Sequence, residues 1–130
     1  MGQKWNFKID LKDNNVFQTI EQERGIAIPY KLTNIIREYN AASPEKYLYM
    51  LKTDEKIFGG FLSFNKDDDD NVFSALKCVR DKSLLPFGID PFGNYICFDL
   101  IKKIVVFWDH ETGESVSTEK NLKNFLDELY

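Results

Sequence analysis

Apolar residues recur along this chain in two rhythms, and the switches between them mark its elements. Trp5, Phe7 and Ile9 alternate with polar residues, which predicts a short first strand. Val16, Phe17 and Ile20 then fall on one face of a helix that Asp13 or Asn14 can cap, running to Arg24 with Gly25 as its left-handed terminator. Pro29 opens a second helix, in which Ile28, Leu32, Ile35, Ile36 and Tyr39 share a face, and Ser43-Pro44 marks its stop. Tyr47 to Leu51 and Ile57 to Phe64 read as strands, and Gly59-Gly60 inside the second signals a bulge or a close backbone approach. After the polar loop Asn65 to Asn71, a third helix carries Val72, Phe73, Leu76 and Val79 and ends near Asp81 or Lys82. Leu122, Phe125, Leu126 and Leu129 form the cleanest helical stripe, at the C-terminus.

Between the third and last helices, Leu84 to Gly113 reads as three strands with tight turns. Asp90-Pro91-Phe92-Gly93-Asn94 is a turn with a mechanism: proline presets φ at its second position and Gly93 supplies a left-handed residue. His110-Glu111-Thr112-Gly113 repeats the device after the apolar run Ile104 to Trp108, and Glu114 to Val116 suggests one more strand. Consecutive hairpins decide against parallel crossovers for most of the sheet. The predicted fold is a single α+β domain over residues 1–130, with a curved, mostly antiparallel sheet of about five to six strands flanked by about four helices.

Length and composition agree with that reading. A chain of 130 residues with eleven phenylalanines buries roughly two-thirds of its unfolded surface and needs no staple to form a core. Cys78 and Cys97 have no paired spacing and read as two buried thiols in a reducing compartment. The opening residues lack a signal-peptide pattern and no apolar run approaches membrane-spanning length, so a cytoplasmic protein without membrane contact is expected. A formal net charge of −4 argues against direct nucleic-acid binding, which needs a basic footprint. It suits a basic protein partner, and equally it suits ordinary solubility.

Candidate chemistry is sparse. Asp67-Asp68-Asp69-Asp70 lacks the alternating ligands, central glycine and distal glutamate of a calcium loop, so it reads as a solvated loop, with Asp70 as cap or dipole partner of the next helix. A protein-contact role is the alternative. His110, the only histidine, lies between Asp109 and Glu111 in a turn whose side chains diverge, a poor metal nest without a companion nucleophile. Asp90 and Asp99 stand in an apolar segment and would serve as an acid–base pair only at the right separation. Asp90 more simply accepts hydrogen bonds within its own turn, while Asp99 either faces solvent or bonds a nearby amide. No catalytic residue, metal site or cofactor follows from these patterns.

Taken in order, several motifs resemble one superfamily. They are Glu21 to Tyr30 (EQERGIAIPY), Tyr39-Asn40, Leu84-Leu85-Pro86-Phe87-Gly88 with Asp90, Gly93-Asn94 and Cys97-Phe98-Asp99, Ile104 to His110 (IVVFWDH), and Phe125-Leu126 with Leu129. From about Val16 to the C-terminus the chain is similar to the SUKH superfamily of yeast cell-wall assembly regulators and bacterial relatives. Two departures stand out: Asn40 is followed by Ala41-Ala42-Ser43 in place of asparagine and glycines, and three residues separate Gly25 from Pro29. The resemblance implies an α+β domain that works by binding. Its bacterial members are similar to immunity proteins that neutralise secreted toxins, many of them nucleases or deaminases; its eukaryotic members are interaction modules of signalling and cell-wall regulation. A cognate toxin with a basic surface is therefore the expected partner. The expected contact residues are Asp67 to Asp70 with Asp109, His110 and Glu111, while Asp90, Pro91, Gly93, Asn94 and Gly113 shape turns. The alternative is a regulatory module with no toxin partner.

Overall fold

A computed structural model describes residues 2–130. Its centre is a five-stranded antiparallel sheet in the order β5-β6-β7-β8-β9, made by β5 (Gly60–Phe61), β6 (Leu84–Ile89), β7 (Tyr95–Asp99), β8 (Ile104–Trp108) and β9 (Ser115–Ser117). Two small antiparallel pairs stand beside it: β1 (Trp5–Asn6) with β2 (Ser43–Pro44), and β3 (Leu48–Leu51) with β4 (Asp54–Ile57). Helices α1 (Val16–Arg24), α2 (Tyr30–Tyr39), α3 (Val72–Cys78) and α4 (Leu122–Asp127) complete the fold. The α+β reading and the antiparallel sheet are as expected.

Strands β6 to β8 read as near-continuous apolar runs because both faces of the sheet are covered. Leu85, Phe87, Ile96, Phe98, Val105 and Phe107 face the main core. Leu84, Cys97, Val106 and Trp108 face a smaller cluster closed by Val79. The main core takes the apolar stripes of all four helices, including Val16 and Ile20, Leu32 and Ile36, Val72 and Leu76, and Phe125 and Leu126. Its aromatic centre holds Phe58 edge-on to Phe61 and Phe125, with centroids 5.4 and 5.7 Å away. Each such ring contributes on the order of 2–3 kcal/mol through burial. Gly88 is required there: a Cβ on it would run into the Phe58 ring. The register shift between Pro86 and Gly88 bends β6 at that contact.

Some local expectations are corrected. The first strand stops at Asn6, because Phe7 has φ 63° and is 83 % exposed. Ile9 is also exposed, and its amide instead donates to the Asn40 carbonyl at 2.9 Å. The hairpin β3–β4 was hidden in the sequence, since Asp54-Glu55-Lys56 looks like a loop and its outer residues lie in solvent. Met50 is exposed between buried Tyr49 and Leu51. Asn71, not Asp70, caps α3 by accepting the Ser74 amide at 3.0 Å. That helix ends at Cys78, where the Arg24 guanidinium donates to the carbonyls of Val79 (2.8 Å) and Leu76 (3.2 Å). Cys97 is buried, but Cys78 is exposed. Ala41, standing where the resemblance has glycines, takes φ 63°. Gly59 meets the expectation of a close approach, its amide donating to the Ile89 carbonyl at 2.8 Å.

Candidate functional site

Strand register brings two of the turns together. Tyr95 pairs with Ile89 on one side and Trp108 on the other, so residues 90–94 and 109–113 leave the same end of the sheet as neighbours. Asp90 holds the first turn: its Oδ1 accepts the amides of Phe92 (2.8 Å) and Asn94 (2.9 Å), and its Oδ2 accepts from Asn94 Nδ2 (2.9 Å). The Asn94 oxygen is thereby turned outward, where it accepts the His110 amide at 3.0 Å and faces His110 Nδ1 at 2.6 Å. With an oxygen opposite it, Nδ1 carries the ring proton and Nε2 faces away. Asp109 closes the second turn in the same way, accepting the Glu111 amide at 2.8 Å. Gly93 (φ 87°) and Gly113 (φ 72°) provide the left-handed residues.

The acidic loop adjoins this pair. Asp70 lines a shallow depression of about 440 Å³ with Asp90, Pro91 and Gly93. Asp67, Asp69, Asp70, His110 and Glu111 are exposed, and Asp70 is the acidic-loop residue that lines the depression with the first turn. Phe92, between Pro91 and Gly93 at the tip of that turn, is 67 % exposed. No pattern rule marked Phe92 as a contact residue, yet a signal existed: a phenylalanine between proline and glycine at a turn tip has no core to enter. Beyond the second turn lies the β3–β4 hairpin, where Lys52 and Lys56 face Asp109 and Glu114 across a cleft of about 330 Å³.

Asp68 differs from its three neighbours. Its Oδ2 accepts from Ser63 Oγ (2.7 Å) and Asn65 Nδ2 (2.9 Å). These hydrogen bonds, Ser63's first, hold its carboxyl below the usual carboxylate range. Ser63 and Asn65 belong to a longer network. Asn65 accepts the Lys12 amide (2.8 Å) and donates to the Asp10 carbonyl (2.8 Å). Fully buried Asn40 accepts the Phe64 amide (2.7 Å) and donates to the Ile9 carbonyl (3.0 Å). The loop is thus anchored at Asp68, and Asp67, Asp69 and Asp70 are presented around it.

Asp90 and Asp99 lie at opposite ends of β7, roughly 15 Å apart at about 3.3 Å per strand residue. Asp99 is occupied in its own turn, accepting the amides of Ile101 (3.0 Å) and Lys102 (2.9 Å). These two carboxylates therefore form no acid–base pair. Burial pushes the Cys97 thiol far above its ordinary range, which leaves it a packing residue. Among the described residues, no group of three or more histidine, cysteine, aspartate or glutamate side chains is placed to hold a metal ion. No helix among them is long and apolar enough to cross a membrane. What the first turn offers is an exposed aromatic side chain in the same turn as a depression lined by Asp70 and Asp90.

Comparison with known families agrees with the architecture. The model of the SMI1 / KNR4 family (SUKH-1) matches residues 13–128. No curated protein matches the chain.

Proposed function

We propose, from the premise that the chain belongs to the SMI1 / KNR4 family (SUKH-1), that it is a non-catalytic, cytoplasmic immunity protein. It binds and neutralises a cognate secreted toxin, a nuclease or deaminase with a basic substrate groove, and needs neither metal nor cofactor to do so. The observation that carries this reading is the meeting of the acidic loop with the first turn, where Asp70 shares a depression with Asp90, Pro91 and Gly93 and Phe92 of the same turn is exposed. Exposed carboxylates of one sign steer a basic partner into encounter and make association fall with salt. An aromatic side chain at the centre of such a patch carries more of the affinity than the charges at its rim.

The test is co-expression with the product of the adjacent gene, followed by co-purification and binding kinetics. Replacing Asp67, Asp69 and Asp70 by asparagine, with anchored Asp68 left in place, should slow association and flatten its salt dependence. Phe92→Ala should act on dissociation instead, weakening the complex by about tenfold or more. If the adjacent product does not bind, the reading fails and a regulatory interaction module takes its place. If it binds and neither variant matters, the partner uses another face.

A further inference from the structure

Aspartates close three turns at the ends of the main sheet, and one of these turns carries more than a turn needs. Asp99 and Asp109 close theirs through backbone amides. Asp90 does the same and then continues outward through side chains, from Asp90 to Asn94 to His110. Each link fixes the next. A carboxylate only accepts, so the group 2.9 Å from Asp90 Oδ2 is the Asn94 amide nitrogen, and the Asn94 oxygen is turned to His110. That oxygen accepts the His110 backbone amide at 3.0 Å and stands 2.6 Å from Nδ1. An amide oxygen has no hydrogen to give, so the proton belongs to Nδ1.

The ring is held as firmly as its proton. A Cβ on Gly93 would lie 3.8 Å from Cγ, Cδ2 and Cε1 alike, which places the face of the imidazole over the turn. His110 is exposed, and its Nε2 has no partner among the described residues. One lone pair is therefore presented in one orientation before anything binds, which spares a partner the cost of ordering it.

The surroundings decide what that lone pair suits. Gly93, beneath the ring, also walls the depression that Asp70 and Asp90 line, and no basic residue lines it. Asp109 and Glu111 flank His110 in its own turn. Lys52 and Lys56 share their cleft with Asp109 and Glu114, not with Asp70 or Asp90. A partner's carboxylate would find no donor at Nε2 and like charge beside it. A lysine or arginine brings both the proton and the opposite charge.

We propose that His110 Nε2 is a hydrogen-bond acceptor for a lysine or arginine side chain of the protein partner, with Asp90 and Asn94 as the residues that position it. It rests on the reading that the acidic loop and the first turn meet a basic partner. To the charge of the carboxylates it adds a direction.

The ¹⁵N-labelled, full-length protein tests the acceptor first, at about pH 8.5, above the range in which histidine ordinarily titrates. The ring spectrum should show the proton on Nδ1 and none on Nε2; a proton on Nε2 overturns the proposal. Ac-KRGKR-amide should move the Nε2 resonance and Ac-EDGDE-amide should not; equal responses, or none, overturn it too. The complex with the adjacent gene product then separates contact from support. His110→Asn keeps a donor for the Asn94 oxygen and removes the outer acceptor, so it should weaken binding about tenfold. His110→Gln sets an amide oxygen near the place of Nε2 and should recover most of that loss. A merely structural His110 predicts the reverse order, with His110→Asn tolerated and His110→Gln not. If the gene product binds the parent and His110→Asn equally, the acceptor falls while the partner assignment stands. If the basic peptide moves Nε2 and the gene product does not bind, the partner assignment falls while the acceptor stands.

Discussion

Short polar side chains organise two regions of this protein, and they do so in opposite ways. In the hairpins of the main sheet, Asp90, Asp99 and Asp109 each accept the amide two residues ahead, at 2.8, 3.0 and 2.8 Å. Each turn is complete within five residues; Asp99 and Asp109 are half-buried, and Asp90, though 6 % exposed, serves a turn whose tip lies in solvent. Around the acidic loop, Asn40, Ser63 and Asn65 instead join chain segments 23 to 55 residues apart, and Asp68 ties into them through Ser63 and Asn65. A lost hydrogen bond in a turn is largely replaced by water, whereas a lost partner in the buried network strands its mate. The sheet end is therefore modular and the loop region is cooperative.

Asn40→Ala strains that contrast most. It leaves the Phe64 amide and the Ile9 carbonyl without their partners, in a residue with no solvent exposure. At roughly 1–3 kcal/mol for each buried group stranded, a loss of about 2–4 kcal/mol is expected in urea unfolding. A loss under about 1 kcal/mol would mean that water reaches the site and that the network is not a cooperative unit. Asp90→Ala should cost less, about 1–2 kcal/mol, because only local bonds are broken and the Phe92 amide can reach water. Asp90→Asn is sharper than deletion. The new amide donor would face Asn94 Nδ2, and flipping Asn94 to restore that bond would take its oxygen from His110. The expected sign is a shifted His110 resonance with the remaining strands undisturbed.

These residues also show what sequence reasoning could reach. The turn aspartates were legible because turn chemistry is local: residue type, spacing and a following glycine or proline suffice. The apolar runs of β6 to β8 and the stripe of α4 were legible through periodicity. Asn40 stood in the sequence only as a signature shared with a family, and its reason for being there is a partner 24 residues on. Asp68 looked like its three neighbours, and nothing in a run of four identical residues says which one is anchored. The false strand at Phe7 fails for the converse reason. Its alternation is real, but no apolar face exists there to receive it. In the candidate site, pattern supplied the charges and missed Phe92, because exposure belongs to the fold and not to the residue.

Asp68 allows the cooperative side to be tested gently. Its carboxyl is held below the usual range in the folded protein, chiefly by Ser63 and then by Asn65. A group whose folded value is lowered contributes stability above its ordinary range, and that contribution is lost as pH falls through the lowered value. Below about pH 4, then, the loop should loosen. The amide of Lys12, which Asp68 accepts no bond from but which Asn65 holds, should exchange faster after correction for intrinsic rates. Asp68→Ala should produce the same acceleration at neutral pH, and Asp67→Ala should not. Exchange that quickens only within residues 66–70 would show the loop and the N-terminal segment to be independent.

The smallest effect is expected on the modular side, where two turns of one design are closed by different residues. The Lys103 amide donates to the Asp99 carbonyl at 2.8 Å, and the Gly113 amide donates to the Asp109 carbonyl at the same distance. Both closing residues are left-handed, with φ 61° at Lys103 and 72° at Gly113. A residue with a Cβ is disfavoured in that conformation by roughly 1–2 kcal/mol, while glycine loses about 0.5–1 kcal/mol more backbone entropy on folding. Lys103→Gly should accordingly stabilise the protein by about 0.5 kcal/mol, and Gly113→Lys should destabilise it by a similar amount. A Cβ at Gly113 meets nothing within 4 Å, so no steric contact confuses the second measurement. If the turns are as self-contained as their hydrogen bonds indicate, the double exchange should return the stability of the parent protein, because the sites share no partner. A double variant that departs from that sum would mean that the sheet transmits strain between its ends, and the contrast with the loop region would then narrow to one of degree.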